Sequence, residues 1–127
     1  MPAMTAERAR AYAETWIHDW CRRDIDALVS HYAEDPTFVT AIAARRTGRA
    51  IVEGRDALKR YWSAARSYAV FEFALDHMIW DPERSELVIG YVRNVDGRRD
   101  RACEIVCFDA DGQVRDGEAM GGSEIVS

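Results

Sequence analysis

The stretch Glu86-Leu87-Val88-Ile89-Gly90-Tyr91-Val92-Arg93-Asn94-Val95-Asp96-Gly97-Arg98-Arg99-Asp100-Arg101-Ala102-Cys103-Glu104-Ile105-Val106-Cys107-Phe108-Asp109 decides the fold. Two runs rich in β-branched and apolar residues, Glu86–Val95 and Arg101–Asp109, flank Asp96-Gly97. That dipeptide favours a tight hairpin, because both turn positions tolerate positive φ. Asp111-Gly112 marks a second hairpin leading into a strand over Gln113–Val126. Upstream, Val70–Trp80 alternates Phe71, Phe73, Leu75 and Ile79 with polar partners, and Asp81-Pro82-Glu83-Arg84 turns the chain. The second half is therefore an antiparallel meander.

Glu104 is the anomaly in this stretch. Its neighbours on the same strand face are Ala102, Val106 and Phe108, because side chains two apart share a face. A carboxyl so flanked loses water; unpaired, it stays protonated to a higher pH and can carry a proton near neutrality. Two arrangements compete with this reading: a wet sheet edge, or a salt bridge to Arg93 that holds the acid ionised. If the hairpin closes tightly, Tyr91 lies nearly opposite Glu104, and the pair can polarise a substrate oxygen.

The first two-fifths of the chain are helical. Ala9, Tyr12, Ala13, Trp16, Ile17 and Trp20 follow helical spacing between Thr5 and about Arg23. Thr5 suits the N-cap and Glu7 the first turn. Asp24 restarts a shorter helix, Ile25 to about Tyr32, stopped by Asp35-Pro36. Thr37–Ile42 is a short β-type run. Ala43–Gly54 reads as an exposed loop whose Arg45, Arg46 and Arg49 are either simply solvated or form a lid attracting an anionic group of a ligand, and Asp56–Ser67 forms a third helix. Helices followed by a strand meander indicate an α+β protein with helices grouped on one face of the sheet. Several strands are apolar on both faces, so the open face is expected to meet a second copy of the chain.

The chain has 127 residues and is expected to be a single domain over residues 1–127. A net charge of −5 with scattered basic residues argues against nucleic acid as a partner. No apolar run nears the roughly 20 residues of a membrane span, and the N-terminus lacks a signal core. Cys103 and Cys107, four apart on one extended strand, lie about 13 Å apart and cannot bridge each other. Reduced thiols and a cytoplasmic location are the simplest account. His18, His31 and His77 fall on different elements, no metal-ligand spacing is present, and neither metal nor cofactor is expected.

Trp16–Trp20, Arg23-Asp24-Ile25-Asp26-Ala27-Leu28, Tyr32-Ala33-Glu34-Asp35, Val52-Glu53-Gly54-Arg55-Asp56-Ala57-Leu58, Tyr61-Trp62 and Phe108-Asp109-Ala110-Asp111-Gly112 together resemble the nuclear transport factor 2-like superfamily. Its SnoaL-like and ketosteroid isomerase-like branch is the most similar. The resemblance spans about Ala9 to Ser123. It implies a cone-shaped, cystatin-like fold with three N-terminal helices packed on a curved antiparallel sheet. The superfamily hosts enzymes and binding modules alike. Against ketosteroid isomerase, Trp16 stands at the place of the helix-1 tyrosine, Thr40 at that of the proton-shuttling aspartate, and Glu104 at that of the protonated aspartic acid. The missing base argues against steroid isomerisation. SnoaL-type cyclases use an acid on the last strand, where this sequence offers Glu118. Limonene-epoxide hydrolases use an Asp-Arg-Asp set, for which Arg93 or Arg101 is available.

The resulting expectation is an acid–base enzyme of isomerase, cyclase or hydratase type that acts on a small, apolar, oxygenated molecule in an enclosed cavity. Glu104 carries the proton, while Tyr91 and Tyr32 orient or polarise. Trp16, Trp20, Phe38, Thr40, Trp62 and Arg93 shape the pocket. Gly117, Ala119 and Gly121, small residues on one strand face, either pack tightly against the large rings or leave a cavity. The competing expectation is a non-catalytic ligand-binding or dimerisation domain of the same fold.

Overall fold

In the computed structural model, which describes residues 3–41, 44–45 and 48–126, the first helix begins where Thr5 Oγ1 accepts the Arg8 amide at 3.2 Å. Helix α1 (Ala6–Arg22) ends on Arg23, whose φ of 53° is left-handed. Its guanidinium donates to the carbonyls of Ala65, Tyr68 and Ala69, anchoring the helix end to a segment distant in sequence. Asp24 caps α2 (Ile25–Ser30) by accepting the Ala27 amide at 3.1 Å. Then come β1 (Tyr32–Thr40), β2 (Ile51–Glu53) and α3 (Arg55–Trp62), which tightens into a 3₁₀ turn over Ser63–Ser67. Strands β3 (Phe71–Asp81), β4 (Glu86–Val95), β5 (Arg98–Phe108) and β6 (Val114–Glu124) complete the chain.

The strands form one curved, unclosed sheet in the order β2-β1-β6-β5-β4-β3, with the helices packed on its inner face. An aromatic cluster fills the space between. Trp62 meets Trp20, Tyr32 and Phe38 edge-on at centroid distances of 5.4, 5.3 and 5.4 Å. Phe73 stacks on Tyr91 at 4.6 Å.

Several elements depart from the sequence expectation. Tyr32 opens β1 instead of closing a helix, because α2 stops at Ser30, whose hydroxyl turns back to the Ala27 carbonyl. Strand β1 then runs through Pro36. The proline, which has no N–H to donate, falls in the register shift between Tyr32 and Thr37. Within the expected loop, Ile51–Glu53 is a strand pairing antiparallel with Thr37–Val39, while Arg46 lies outside the described residues. The β1–β6 pair is parallel, so the sheet is mixed rather than wholly antiparallel. No hairpin joins these two strands, and turn geometry therefore imposes no direction on them.

The meander holds two further differences. A bulge between Leu75 and His77 reverses the facing of the rest of β3, turning Met78 and Trp80 inward and Ile79 outward, where it is 57 % exposed. The β4–β5 turn is two residues long, pairing Val95 with Arg98. Tyr91 is thus opposite Ala102, and Glu104 is opposite Ile89. This register is two residues from the one expected, which keeps Tyr91 and Glu104 on the same face but makes them diagonal neighbours.

Candidate functional site

A cavity of about 370 Å³ lies between the inner face of the sheet and the α3–3₁₀ segment. Its wall includes Trp20, Phe38, Thr40, Trp62, Tyr91 and Arg93. Three expected site residues, Trp16, Tyr32 and Glu104, are not in that wall; all three are buried directly behind it.

Glu104 is 2 % exposed. On the inner face it is flanked by Ile89 of β4 and Ala119 of β6, and no cation among the described residues pairs with it. Burial pushes its carboxyl up to about 8, opposed only by the Trp16 indole N–H, which favours the charged form. That N–H is near enough to act electrostatically but forms no hydrogen bond, since Trp16 Nε1 and Glu104 Oε2 both lack a partner. The hydroxyls of Tyr12 and Tyr32 are buried and unpartnered too. Burial, followed by the Glu104 carboxylate, raises the pKa of both well above the ordinary range. A neutral carboxylic acid among phenols and an indole is thus the state that this island of polar atoms favours at pH 7.

Glu104 nevertheless adjoins the cavity. Ala119, directly opposite it, and Tyr91, its diagonal neighbour, both belong to the wall. The Tyr91 hydroxyl has no hydrogen-bond partner among the described residues. Burial raises the Tyr91 pKa, as does the Glu104 carboxylate, while Arg93 opposes the rise.

Arg93 does not hold Glu104. It clamps Asp100 with two parallel bonds, Nε to Oδ1 at 2.9 Å and Nη2 to Oδ2 at 3.0 Å. The two-residue turn sets Arg93 directly across from Asp100, and both line the cavity. Asp100, the one carboxylate in the wall among the described residues, is not one of the site residues expected from the sequence. Counting outward from Asp96-Gly97 pairs position 93 with position 100 and would have found it.

The small residues of β6 divide between packing and space. A Cβ on Gly117 would lie 2.9 Å from the Phe38 ring and 3.1 Å from the Tyr32 hydroxyl, so that position is tightly packed. Ala119 faces the cavity. Glu118 and Arg101, by alternation, point to the outer face; both are exposed and neither lines the cavity. Of the expected arginine lid, Arg45 lines the cavity and Arg49 pairs with Glu53 at 3.2 Å. Among the described residues no three potential metal ligands converge, and no helix is long and apolar enough to cross a membrane.

Comparison with known proteins places this architecture. The family model described as a SnoaL-like domain matches residues 10–117. A SnoaL-like protein of unknown function from Burkholderia thailandensis E264 superposes with a TM-score of 0.84 at 23 % identity, over 95 % of this chain and 99 % of that one. A protein with a cystatin-like fold from Methylobium petroleophilum PM1 gives 0.77 at 18 % identity, over 98 % and 82 %. The epoxide hydrolase/cyclase-like enzyme SalBIII, which functions in pyran ring formation in the polyether salinomycin, gives 0.73 at 16 % identity, over 94 % and 95 %. No curated protein matches the sequence. At these identities the solved structures establish the fold alone.

Proposed function

The chain belongs to the SnoaL-like family, and on that premise we propose that it is an acid–base enzyme. Its substrate is a small, largely apolar, oxygenated molecule held in the cavity, and its reaction is of isomerase, cyclase or hydratase type. The observation that carries this reading is the grouping on one cavity wall of an unpartnered tyrosine hydroxyl and a clamped carboxylate, with the fully buried carboxyl of Glu104 diagonal to the tyrosine. Tyr91 touches the substrate oxygen and polarises it. Asp100, oriented by Arg93, keeps a lone pair on each oxygen with which to accept a proton. Glu104 is a positioning residue: while it keeps its proton, the adjoining Tyr91 hydroxyl faces no buried negative charge. Tyr32 and Trp16 shape the polar island around it, while Trp20, Phe38, Thr40 and Trp62 enclose the apolar body. The similarity to SalBIII makes epoxy alcohols the first substrates to offer.

With turnover found in a panel of epoxy alcohols and enones, Tyr91→Phe is expected to lower kcat/KM by about 10²-fold. It should leave the melting temperature nearly unchanged, because the hydroxyl it removes lines the cavity and bonds to no described residue. The rate of the native protein is expected to fall as pH rises through about 8. Full activity in both Tyr91→Phe and Glu104→Gln would remove this pair from the mechanism.

A second reading, a ligand-binding domain without catalysis, is favoured by the absence of Glu104 from the cavity wall. Absence of turnover combined with saturable binding would establish it.

The outer face of the sheet fits a second copy of the chain. Ile79 and Met120 are 57 % and 42 % exposed there, beside half-buried Val88 and Ile105. A homodimer is the expected species in sedimentation velocity at micromolar concentration, and a monomer would contradict it. Three unbridged cysteines suit the reducing cytoplasm in which we place the protein.

A further inference from the structure

We infer that the ligand of this cavity carries an anionic head, of which a carboxylate is the best fit, on its apolar body. This rests on the cavity's being a small-molecule site, and it specifies the class of molecule. The cavity wall combines aromatic rings with guanidinium groups. Arg45, Arg93 and Arg98 all line it, against the single carboxylate of Asp100 among the described residues. The chain as a whole has a net charge of −5, so this local surplus of positive charge reflects placement, not composition.

The register explains the clustering. Arg98 opposite Val95, and Arg93 opposite Asp100, occupy adjacent inner-face pairs immediately inside the Asp96-Gly97 turn. Asp100 uses Nε and Nη2 of Arg93, which leaves the two Nη1 hydrogens uncommitted. The Arg98 guanidinium has no ion-pair or hydrogen-bond partner among the described residues. Of these two neighbouring guanidinium groups Asp100 pairs with Arg93 alone, and that of Arg98 is left to a ligand. A planar carboxylate matches the donor fork of arginine. Bound there, it would extend its apolar tail between Trp20 and Trp62.

The test compares 3-phenylpropionate with 3-phenylpropanol, which share an apolar body and differ in the head. Binding is read by quenching of tryptophan fluorescence, since Trp20 and Trp62 line the cavity. The acid is expected to bind about tenfold more tightly than the alcohol, with the preference shrinking at high salt. Arg98→Gln, an exposed substitution, should bring the two within about threefold while leaving alcohol binding intact. Alcohol binding equal to or tighter than acid binding overturns the anionic head, and an acid preference that survives Arg98→Gln overturns Arg98 as its seat; either result leaves the cavity as a ligand site. Failure of both probes to quench overturns the cavity reading and this inference with it.

Discussion

Glu104→Gln is expected to stabilise the protein above neutral pH, by an amount that grows as pH rises. The carboxyl ordinarily titrates near 4.5 and is pushed up to about 8 by burial. Because the folded-state value is the raised one, its contribution is fully present below about 4.5. It is lost progressively as pH rises through 8, because only the unfolded chain ionises freely in that interval. Each unit of difference is worth about 1.4 kcal/mol, so the native protein should lose on the order of 4 kcal/mol of stability between pH 5 and pH 8 from this group alone. Glutamine has nearly the shape of the protonated acid and does not titrate. The variant should match the native protein near pH 5 in urea denaturation and exceed it at pH 8 and above. Parallel pH profiles for the two proteins would show that Glu104 does not hold a raised pKa.

Trp62→Ala is expected to destabilise the fold by about 4 kcal/mol, lowering the melting temperature by roughly 15 °C. Trp62 is 5 % exposed and joins α1, α3 and β1 through its edge contacts with Trp20, Tyr32 and Phe38. Removing the ring loses its burial and three aromatic contacts worth about 0.5–1.5 kcal/mol each. The space left behind opens into the existing cavity, because Trp62 forms part of its wall. Trp62→Phe should recover much of the stability. Calorimetry of the two variants separates the packing contribution from the shape of the cavity, and a loss below about 1 kcal/mol in Trp62→Ala would mean that the site collapses onto the missing ring.

Much of this arrangement is legible in the sequence because it depends on local rules. Thr5 and Asp24 mark their helix starts, helical spacing selects Trp16 and Trp20, and period-two alternation places Glu104 on the apolar face of β5. What is hidden depends on single-residue offsets or long-range pairing. The bulge before His77 has no marker in composition, yet it sends Ile79 outward and Trp80 inward. The length of the Asp96-Gly97 turn decides whether Tyr91 or Ile89 lies across from Glu104, and the same count brings Asp100 to Arg93. The parallel β1–β6 pair joins segments about 80 residues apart with no turn between them to signal it. Gly117 and Ala119 look alike as small residues, and only the positions of Phe38 and Tyr32 show that the first is packed while the second borders open space.

The proposed chemistry depends on a buried acid that keeps its proton at neutral pH, immediately behind the wall of a ligand-sized hollow. Carbon-13 NMR of the glutamate side-chain carboxyls, with the Glu104 resonance assigned by its loss in Glu104→Gln, measures this directly. A titration midpoint near 8 is the predicted result. A midpoint near the ordinary 4.5 would show the group ionised at physiological pH and would contradict the proposed chemistry.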